Sequence, residues 1–297
     1  MKIFLTGATG FLGKALQEEW KNSLQVITSG RDRNAMVVCD LSINIPHIPP
    51  VDMVVHAAGK AHMVPKNEEQ EKDFYTVNVK GTENLLEGLE NNSLLKKFVY
   101  ISSVSVYGST AGSNINEQTP LLASEPYGKS KIAAEQLVSA WCSRKKIDYY
   151  LLRLPLMAGK NAPGNLGAMV NGIQSGRYLS IGKADAKKSM ILAADLATFI
   201  ENIDGPSGAY NLTDGYHPSF KELEHLVSRH FKKKDPRTIP FFVARLIGFA
   251  GDLAGNAFPI NSNKLKKITS TLTFDDRLAR TQLQWSPRKV LKKWEIE

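Results

Sequence analysis

The sequence predicts an α/β protein built on a doubly wound parallel sheet, with a smaller C-terminal lobe. Three observations support this prediction. Short apolar runs alternate with segments of helical length in the first half of the chain. A glycine-rich turn follows the first of these runs directly, and the regular alternation ends after Arg153. Alternation of this kind is typical of a sheet whose two faces are covered by helices.

The apolar runs have strand length and are rich in Val, Ile, Leu and aromatic residues. They are KIFLT, LQVIT, MVVCD, DMVVHAA, KKFVYISS and DYYLLRL. Near-continuous apolar strands indicate a parallel sheet that is buried on both faces. Residues 1–155 are therefore predicted to form a dinucleotide-binding domain of the Rossmann type.

A second lobe is predicted to begin where the stretch PLMAGKNAPGNLG interrupts the alternation with Pro and Gly. We expect residues 156–297 to form mainly this substrate-binding lobe, with a segment near 186–205 that returns to the first domain. Within the lobe we expect a helix over 164–176, a strand in YNLTDG, a helix over 219–232 capped by Ser219, and a helical tail.

Composition restricts the class of protein. The 297 residues are 42% hydrophobic and 23% charged, and no apolar run reaches the roughly 18 residues of a membrane span. Cys39 and Cys142 are too few and too far apart for a disulfide framework or a zinc site, so no metal is expected. Met1 leads directly into a strand-like run, without the regions of a secretory signal. We expect a cytoplasmic protein.

The formal charge of +9 does not predict nucleic-acid binding, because the basic residues are scattered and no stripe combines them with aromatics. Solvated lysines, together with attraction for an anionic small molecule, explain the charge better. The apolar segment TIPFFVARLIGFAGDLAGNAFPI contains Arg245 and Asp252. It is predicted to be a buried or interface helix, and contact with a membrane surface is the less favoured alternative.

The turn TGATGFLG, residues 6–13, has glycines in the spacing of a dinucleotide-binding turn. Gly7 would allow the tight bend, Gly10 the approach of backbone to a pyrophosphate, and Gly13 the close packing of helix on sheet. Amides at the start of the helix would face the phosphates. The predicted cofactor-binding residues here are Gly7, Thr9, Gly10, Phe11, Leu12 and Gly13.

The end of the second strand, ITSGRDR, indicates which dinucleotide is bound. An acidic residue there would bind the adenosine ribose of NAD, but Gly30 occupies that position and Arg31 follows it. This arrangement suits the 2′-phosphate of NADP(H), which we favour. NAD(H) stays possible, because Asp32 could serve a ribose. Asp40 and Leu41, after the next strand, are candidates for contact with the adenine.

A serine, a tyrosine and a lysine form the candidate catalytic set. Ser103 ends the strand of YISSVSVYG, and Tyr127 and Lys131 lie four residues apart, hence on one helix face. A phenol is a poor acid or base near neutral pH until a nearby ammonium stabilises its phenolate. Lys131 would supply that charge and hold the cofactor ribose, and Ser103 would hydrogen-bond the reacting oxygen.

These signals together resemble the extended short-chain dehydrogenase/reductases, the family of nucleotide-sugar epimerases, dehydratases and ketoreductases. The motifs TGATGFLG, VVHAAG, VNVKGTENLL, ISSVSVYG, YGKSK, LLRLP, DLATFI and LQWSP carry the resemblance along nearly the whole chain. It implies that Tyr127 and Lys131 also bind the cofactor. The further cofactor residues that it implies are Ala57, Ala58, Gly59, Asn78, Ser102, Pro155 and Leu156.

The resemblance also implies a UDP-sugar substrate and a homodimer formed through helices within 67–91 and 127–144. Asn165 would meet the sugar-nucleotide diphosphate, and Tyr178 would touch the nucleobase. Lys188 stands where many relatives have an arginine, and lysine lacks the bidentate geometry of arginine. Ser103 completes the implied substrate contacts.

Among known members, the motifs resemble bacterial enzymes of surface-polysaccharide synthesis. They include UDP-4-keto-6-deoxy-N-acetylhexosamine 4-reductases and UDP-hexose 4-epimerases. Dehydratases place acidic residues beside the serine, whereas this chain has Val104 and Ser105. Because Arg31 favours an exchangeable NADP(H), the reductase is preferred to an epimerase with tightly bound NAD. A non-catalytic NADP-sensing module is a minor alternative.

Overall fold

The central feature is a seven-stranded parallel sheet, which confirms the predicted α/β class. The computed structural model describes residues 1–61, 63, 65–254 and 262–297. The strands of this sheet are β1 (Lys2–Thr6), β2 (Gln25–Gly30), β3 (Val37–Val38), β4 (Met53–His56), β5 (Lys97–Ser103), β7 (Asp148–Leu154) and β11 (Gly208–Asn211). Their spatial order is β3-β2-β1-β4-β5-β7-β11, in which β1 and β4 are neighbours although a crossover separates them in the chain.

Helices cover both faces of the sheet. In the first half of the chain they are α1 (Phe11–Trp20), α2 (Glu68–Tyr75), α3 (Gly81–Gly88) and α4 (Pro126–Lys145). A π-helical turn, 76–80, joins α2 to α3, and a 3₁₀ turn, 104–107, follows β5. Leu85 of α3 and Val138 of α4 lie in the core on one face, and Leu16 of α1 lies in the core on the other.

The second half of the chain contributes short strands and seven helices within the described residues. The strands are β8 (Leu156–Ala158), β9 (Leu179–Ile181), β10 (Met190–Leu192), β12 (Arg237–Ile239) and β13 (Leu272–Phe274), and β6 (Gly112–Ile115) pairs with β13. The helices are α5 (Gly164–Gln174), α6 (Ala193–Glu201), α7 (Phe220–His230), α8 (Phe241–Ala254), α9 (Ser262–Thr269), α10 (Arg277–Gln282) and α11 (Val290–Lys293). Ser219 caps α7 in a reciprocal capping box with Glu222, at the predicted place.

Two elements after residue 155 belong to the main sheet. Helix α6, in the predicted return segment, packs on α1, and the Trp20 indole donates to the Ala197 carbonyl at 3.0 Å. Strand β11 pairs with β7 at the sheet edge. The sequence places this strand in the second lobe, which is wrong, because Tyr210 and Leu212 bury their side chains in the core beneath the sheet.

Of the predicted buried or interface helix, the buried option is wrong for α8. Its Ala244 and Gly248 are buried, whereas Phe242, Leu246 and Phe249 are exposed. Residues 255–260 of the predicted apolar segment lie outside the described residues. Across the part of the chain that the structure describes, we find no helix with the length and apolarity needed to cross a bilayer.

Candidate active site

The glycine-rich turn forms a backbone cradle at the carboxyl end of β1. Gly7 has φ +70°, and a Cβ there would lie 2.6 Å from the Ala57 carbonyl carbon and the Ala58 nitrogen. A Cβ on Gly13 would lie 2.2 Å from the Gly7 oxygen. Both positions therefore require glycine. Gly10 is exposed and precedes the first turn of α1, with no side chain capping that end.

This cradle fits a dinucleotide. The first-turn amides of α1, at Phe11 and Leu12, have no intrahelical acceptor, and such amides bind phosphate. Thr9 is exposed beside them, and Ala57 and Ala58 border the turn from the end of β4. The predicted residues of the turn and of the β4 end thus lie together.

A chain of hydrogen bonds through His56 connects the end of β1 with the loop after β4 and with the start of α3. The Ala58 amide donates to Thr6 Oγ1 at 3.1 Å, and Thr6 Oγ1 lies 2.7 Å from His56 Nδ1. His56 Nε2 lies 3.0 Å from Thr82 Oγ1, which donates to the Asn78 carbonyl at 2.6 Å. Each hydroxyl can donate only once, so this network assigns the proton of a neutral imidazole to Nε2. Burial lowers the pKa of His56 to about 3.

Asn78 joins the cofactor side of the sheet to helix α4. Its Oδ1 accepts from the Lys60 amide at 2.7 Å, and its Nδ2 donates to Ser130 Oγ at 2.8 Å. The Ser130 hydroxyl donates in turn to the Tyr127 carbonyl at 2.8 Å. Gly59 approaches the same place, because a Cβ there would lie 3.3 Å from Lys131 Nζ. Asn78 therefore fixes the loop after β4 against the turn that carries Tyr127.

The residues predicted at the adenosine end lie at the ends of β2 and β3. Arg31 is exposed directly after β2, and it makes no ion pair with a described residue. The carboxylate of Asp32 accepts the Asn34 amide at 2.7 Å within its own turn. Asp40 accepts both the amide and the hydroxyl of Ser42. Leu41 is buried against Gly81.

Ser103 and Tyr127 come together where β5 ends and α4 begins. Burial raises the pKa of the Tyr127 phenol, and the nearby Ser103 side chain opposes this rise. Gly128 lets the start of α4 lie close to the turn after β5, since a Cβ at this position would lie 2.8 Å from the Ser105 oxygen. The phenol is therefore protonated at neutral pH, which is the form of a proton donor.

Lys131 lies one helical turn after Tyr127, as predicted, and it is buried. Its ammonium donates to the Ile101 carbonyl at 2.8 Å and lies 4.7 Å from the centroid of the Tyr100 ring. Burial lowers the pKa of Lys131 to about 8, and the negative charge of Glu135 opposes the decrease. The sequence predicts that the Lys131 ammonium stabilises the phenolate of Tyr127. In the structure the ammonium is bonded to a backbone carbonyl instead, and burial and Ser103 set the pKa of Tyr127.

A buried charge network that the sequence did not indicate lies beside Lys131. Glu135 accepts two hydrogen bonds from Arg153, at 3.1 and 2.8 Å, and one from Ser102 at 2.5 Å. Arg153 also donates to Tyr107 Oη at 3.1 Å. The hydroxyl of Ser102, one of the cofactor residues that the resemblance implies, donates to Glu135. The available signal was the spacing of Tyr127, Lys131 and Glu135, four residues apart on one helix.

The remaining predicted cofactor residues follow β7. Pro155 and Leu156 are partly buried, and Leu156 begins β8 and pairs in parallel with Met190 of β10. Nearby, a Cβ on Gly159 would lie 3.1 Å from the Phe11 ring. The segment after β7 therefore adjoins the start of α1.

The predicted substrate residues lie in the second lobe. Asn165 is exposed in the first turn of α5. Tyr178 lines a cavity of about 230 Å³ between β9, α7 and α8, together with Glu224 and Phe241. Burial raises the pKa values of both Tyr178 and Glu224. Glu224 carried no sequence signal.

Lys188 is buried near this cavity. Its ammonium donates to the Ser270 carbonyl at 2.8 Å, and burial lowers its pKa to about 8. It makes no ion pair with a described residue, so its charge can be offered to an anion. No group of three or more His, Cys, Asp or Glu side chains suited to a metal occurs in residues 1–61, 63, 65–254 and 262–297.

Comparison with known proteins identifies relatives along the whole chain. The chain is 25% identical to the UDP-glucose 4-epimerase of Vibrio cholerae over 98% of this chain and 92% of that protein. It is 28% identical to the GDP-6-deoxy-D-mannose reductase of Pseudomonas aeruginosa over 76% and 79%. It is 29% identical to the N-acetyl-alpha-D-glucosaminyl-diphospho-ditrans,octacis-undecaprenol 4-epimerase of Escherichia coli O157:H7, over 68% of this chain and 64% of that relative's length.

Solved structures share the fold. MoeE5 in complex with UDP-glucuronic acid and NAD has a TM-score of 0.76 at 21% identity, over 99% of this chain and 96% of that chain. RMD from Pseudomonas aeruginosa complexed with NADPH has a TM-score of 0.74 at 20% identity, over 98% and 96%. A family model described as "NAD dependent epimerase/dehydratase family" matches residues 3–203. The chain therefore belongs to this family of extended short-chain dehydrogenase/reductases and is an NAD(P)-dependent enzyme, as the sequence motifs predict.

Proposed function

We propose that this enzyme is an NADPH-dependent 4-ketoreductase that acts on a UDP-4-keto-6-deoxy-N-acetylhexosamine in polysaccharide biosynthesis. The observation that carries the proposal is the end of β2. Arg31 is exposed there without a carboxylate partner among the described residues, and Asp32 uses its carboxylate in its own turn. A cation at this position, with no acidic side chain to hydrogen-bond the ribose 2′-hydroxyl, favours the 2′-phosphate of NADPH. A reductase needs a cofactor that exchanges at each turnover.

The protonation state of Tyr127 supports the reductive direction. When bound, NADPH supplies the hydride. Tyr127 then donates its proton to the oxygen at carbon 4, while Ser103 hydrogen-bonds that oxygen. Because burial raises the pKa of Tyr127, the phenol holds this proton at neutral pH. Proton transfer by a positioned side chain contributes on the order of 100 to 10,000-fold in rate.

Lys131 and Asn78 have positioning roles in this proposal. Asn78 holds the loop of Gly59 and Lys60 beside α4, so that the cradle and the tyrosine keep a fixed relation. Lys131 presents a buried ammonium between the Ile101 carbonyl and Gly59. A buried cation at this place suits the nicotinamide ribose hydroxyls, which accept hydrogen bonds.

The second lobe supplies the substrate contacts in this proposal. In this proposal Asn165, in the first turn of α5, and the buried cation Lys188 contact the sugar diphosphate, and Tyr178, which lines the cavity, contacts the nucleobase. The complex of MoeE5 with UDP-glucuronic acid and NAD supports UDP as the carrier. The proposal also includes a homodimer formed through α2, α3 and α4, and a cytoplasmic location, where NADPH is regenerated.

A 4-epimerase is the second candidate function. The observation that favours it is that two of the relatives reported above are 4-epimerases. An epimerase returns the same hydride to the sugar, so it benefits from an NAD that is never released. The non-catalytic NADP-sensing alternative is weaker, because Ser103, Tyr127 and Lys131 are all present at one site.

One purification and two assays distinguish these functions. The protein is purified without added cofactor, and the retained nicotinamide is identified by mass spectrometry. It is then incubated with NADPH and a UDP-4-keto-6-deoxy-N-acetylhexosamine, and separately with UDP-N-acetylglucosamine or its lipid-diphosphate counterpart. Stoichiometric consumption of NADPH supports the reductase. Retained NAD, together with interconversion of the 4-epimers and no net consumption, would replace it with the epimerase.

A further inference from the structure

Helix α8 packs on the protein through its small residues and directs its large apolar residues to solvent. Ala244, Gly248 and Gly251 are buried. Phe242, Leu246 and Phe249 have exposed fractions of 66%, 66% and 62%. Positions 242, 246 and 249 follow the i, i+4, i+7 spacing of one helix face. This orientation is the reverse of an ordinary surface helix, whose large apolar side chains face the core.

The three side chains form one exposed cluster, which we call the α8 face. Several other large apolar side chains that are exposed lie on separate elements, such as Leu122 after β6 and Tyr75 at the end of α2. Exposure of an apolar cluster to water is unfavourable, and such clusters mark surfaces that meet a partner or a lipid phase. No side chain of the described residues covers the α8 face.

The charge around the α8 face is basic. Between residues 232 and 252 the chain has five basic residues and two acidic residues. Asp235 is paired with His225, and Asp252, which is exposed on α8 itself, accepts the Ser262 amide at 3.1 Å. Arg245 is exposed within the face itself, and Lys266 and Lys267 are exposed on α9, which packs against α8. A surface that combines phenylalanine, leucine and cations that form no ion pair with the described residues is complementary to the headgroup region of an anionic bilayer.

We propose that the α8 face docks the protein on an anionic membrane surface. Phe242, Leu246 and Phe249 insert at the level of the upper acyl chains, and Arg245 with the neighbouring lysines binds lipid phosphates. A second copy of the chain is a poorer occupant. A twofold contact through this face would bring Arg245 and the basic segment 232–237 against their own copies, with like charges in proximity.

The proposal places the cavity near the lipid surface. Phe241 begins the same helix and lines the cavity of about 230 Å³, opposite Tyr178 and Glu224. A docked molecule would therefore hold this cavity beside the headgroups. The inference rests on the exposure and charge of α8, and it stands independently of which sugar the enzyme reduces.

The test is flotation of the full chain with vesicles. Vesicles of phosphatidylcholine alone are compared with vesicles that contain about one third phosphatidylglycerol, at low and high salt. The variant Phe242→Ser/Leu246→Ser/Phe249→Ser removes the apolar cluster, and Arg245→Glu reverses its charge. Matched controls are Leu94→Ser/Leu122→Ser, which removes two exposed leucines elsewhere, and Lys292→Glu on α11. Thermal unfolding and NADPH binding report whether each variant is folded.

We expect the unaltered protein to float with the anionic vesicles and to be released by high salt. Both α8 variants should lower the bound fraction about tenfold or more, and both controls should leave it unchanged. Equal flotation of the triple variant and the unaltered protein would overturn the proposal. So would a failure of the unaltered protein to bind anionic vesicles. If light scattering shows that the triple variant converts a dimer to a monomer without changing flotation, the α8 face is a protein interface and the proposal is wrong.

Discussion

Glu135 and Arg153 form a two-point ion pair, with nitrogen–oxygen distances of 3.1 and 2.8 Å, and both side chains are buried. Arg153 also donates a hydrogen bond to Tyr107 Oη, and Glu135 also accepts a hydrogen bond from the Ser102 hydroxyl. The pair thereby connects β5, β7 and α4 at the place where Lys131 presents its ammonium. The negative charge of Glu135 favours the charged form of Lys131.

Glu135→Gln tests this connection. The substitution leaves a buried guanidinium without its counterion, which costs about 3–5 kcal/mol in the free energy of unfolding. Urea denaturation measures this loss. Glu83→Gln, which breaks the exposed ion pair with Lys80, is the control and should cost less than about 1 kcal/mol. Equal effects of the two substitutions would show that the buried pair does not stabilise the junction.

The pH dependence of catalysis tests the role of Lys131. Since burial lowers the pKa of Lys131 to about 8, its ammonium loses its proton as the pH rises through that value. We expect kcat/KM, which reports groups of the free enzyme, to fall above about pH 8. In Lys188→Met, which removes the titration of the proposed substrate-binding lysine whose pKa is also lowered to about 8, substrate binding should weaken but a decrease should remain. Adding Lys131→Arg to Lys188→Met should then remove the decrease, because a guanidinium stays charged. Persistence of the decrease in the double variant would assign it to another group.

His56 links the stability of the cradle to pH. Burial lowers its pKa to about 3, so the unfolded chain binds a proton below pH 6.5 that the folded chain does not. Stability from this group is present above pH 6.5 and is lost as the pH falls towards about 3. The difference in unfolding free energy between the unaltered protein and His56→Asn should narrow by about 1.4 kcal/mol per pH unit in this window. Above pH 7 the difference should be constant. A difference that is independent of pH between 6.5 and 4 would contradict the buried neutral imidazole.

Arg31→Ala tests cofactor choice. Loss of a charged hydrogen bond to the 2′-phosphate should raise the dissociation constant for NADPH by about 10- to 100-fold and leave that for NADH unchanged. Fluorescence titration with both cofactors measures this directly. Arg229→Ala, an exposed arginine at the end of α7, is the control. Equal losses for NADPH and NADH would mean that Arg31 does not recognise the phosphate.

Much of the geometry of the candidate cofactor site was predictable because its determinants are local in sequence. The glycines of 6–13 are spaced for one turn, and Tyr127 and Lys131 share a helix face through their separation alone. The requirement for glycine at Gly7 and Gly13 follows from the same turn, and the structure adds the atoms that a Cβ would meet.

Contacts between distant segments were not predictable in this way. The pairing of Arg153 with Glu135 depends on how β7 and α4 meet, and the bond from Lys131 to the Ile101 carbonyl depends on the depth of α4 against β5. Strand β11 has four residues, and nothing in its sequence indicates that it joins β7. In α8 the buried residues are small, so an apolar pattern that assigns large residues to the core gives the wrong orientation.

Tyr127→Phe tests the central claim most directly, because it removes the proton donor and retains the ring. NADPH consumption against the 4-keto sugar should fall by about 100 to 10,000-fold, while the NADPH dissociation constant changes little. Tyr107→Phe is the matched control. It should retain most turnover, because the Tyr107 phenol hydrogen-bonds Arg153 and Asn211 and has no role in proton transfer to the reacting oxygen. Unchanged turnover in Tyr127→Phe would contradict the assignment of this phenol as the acid.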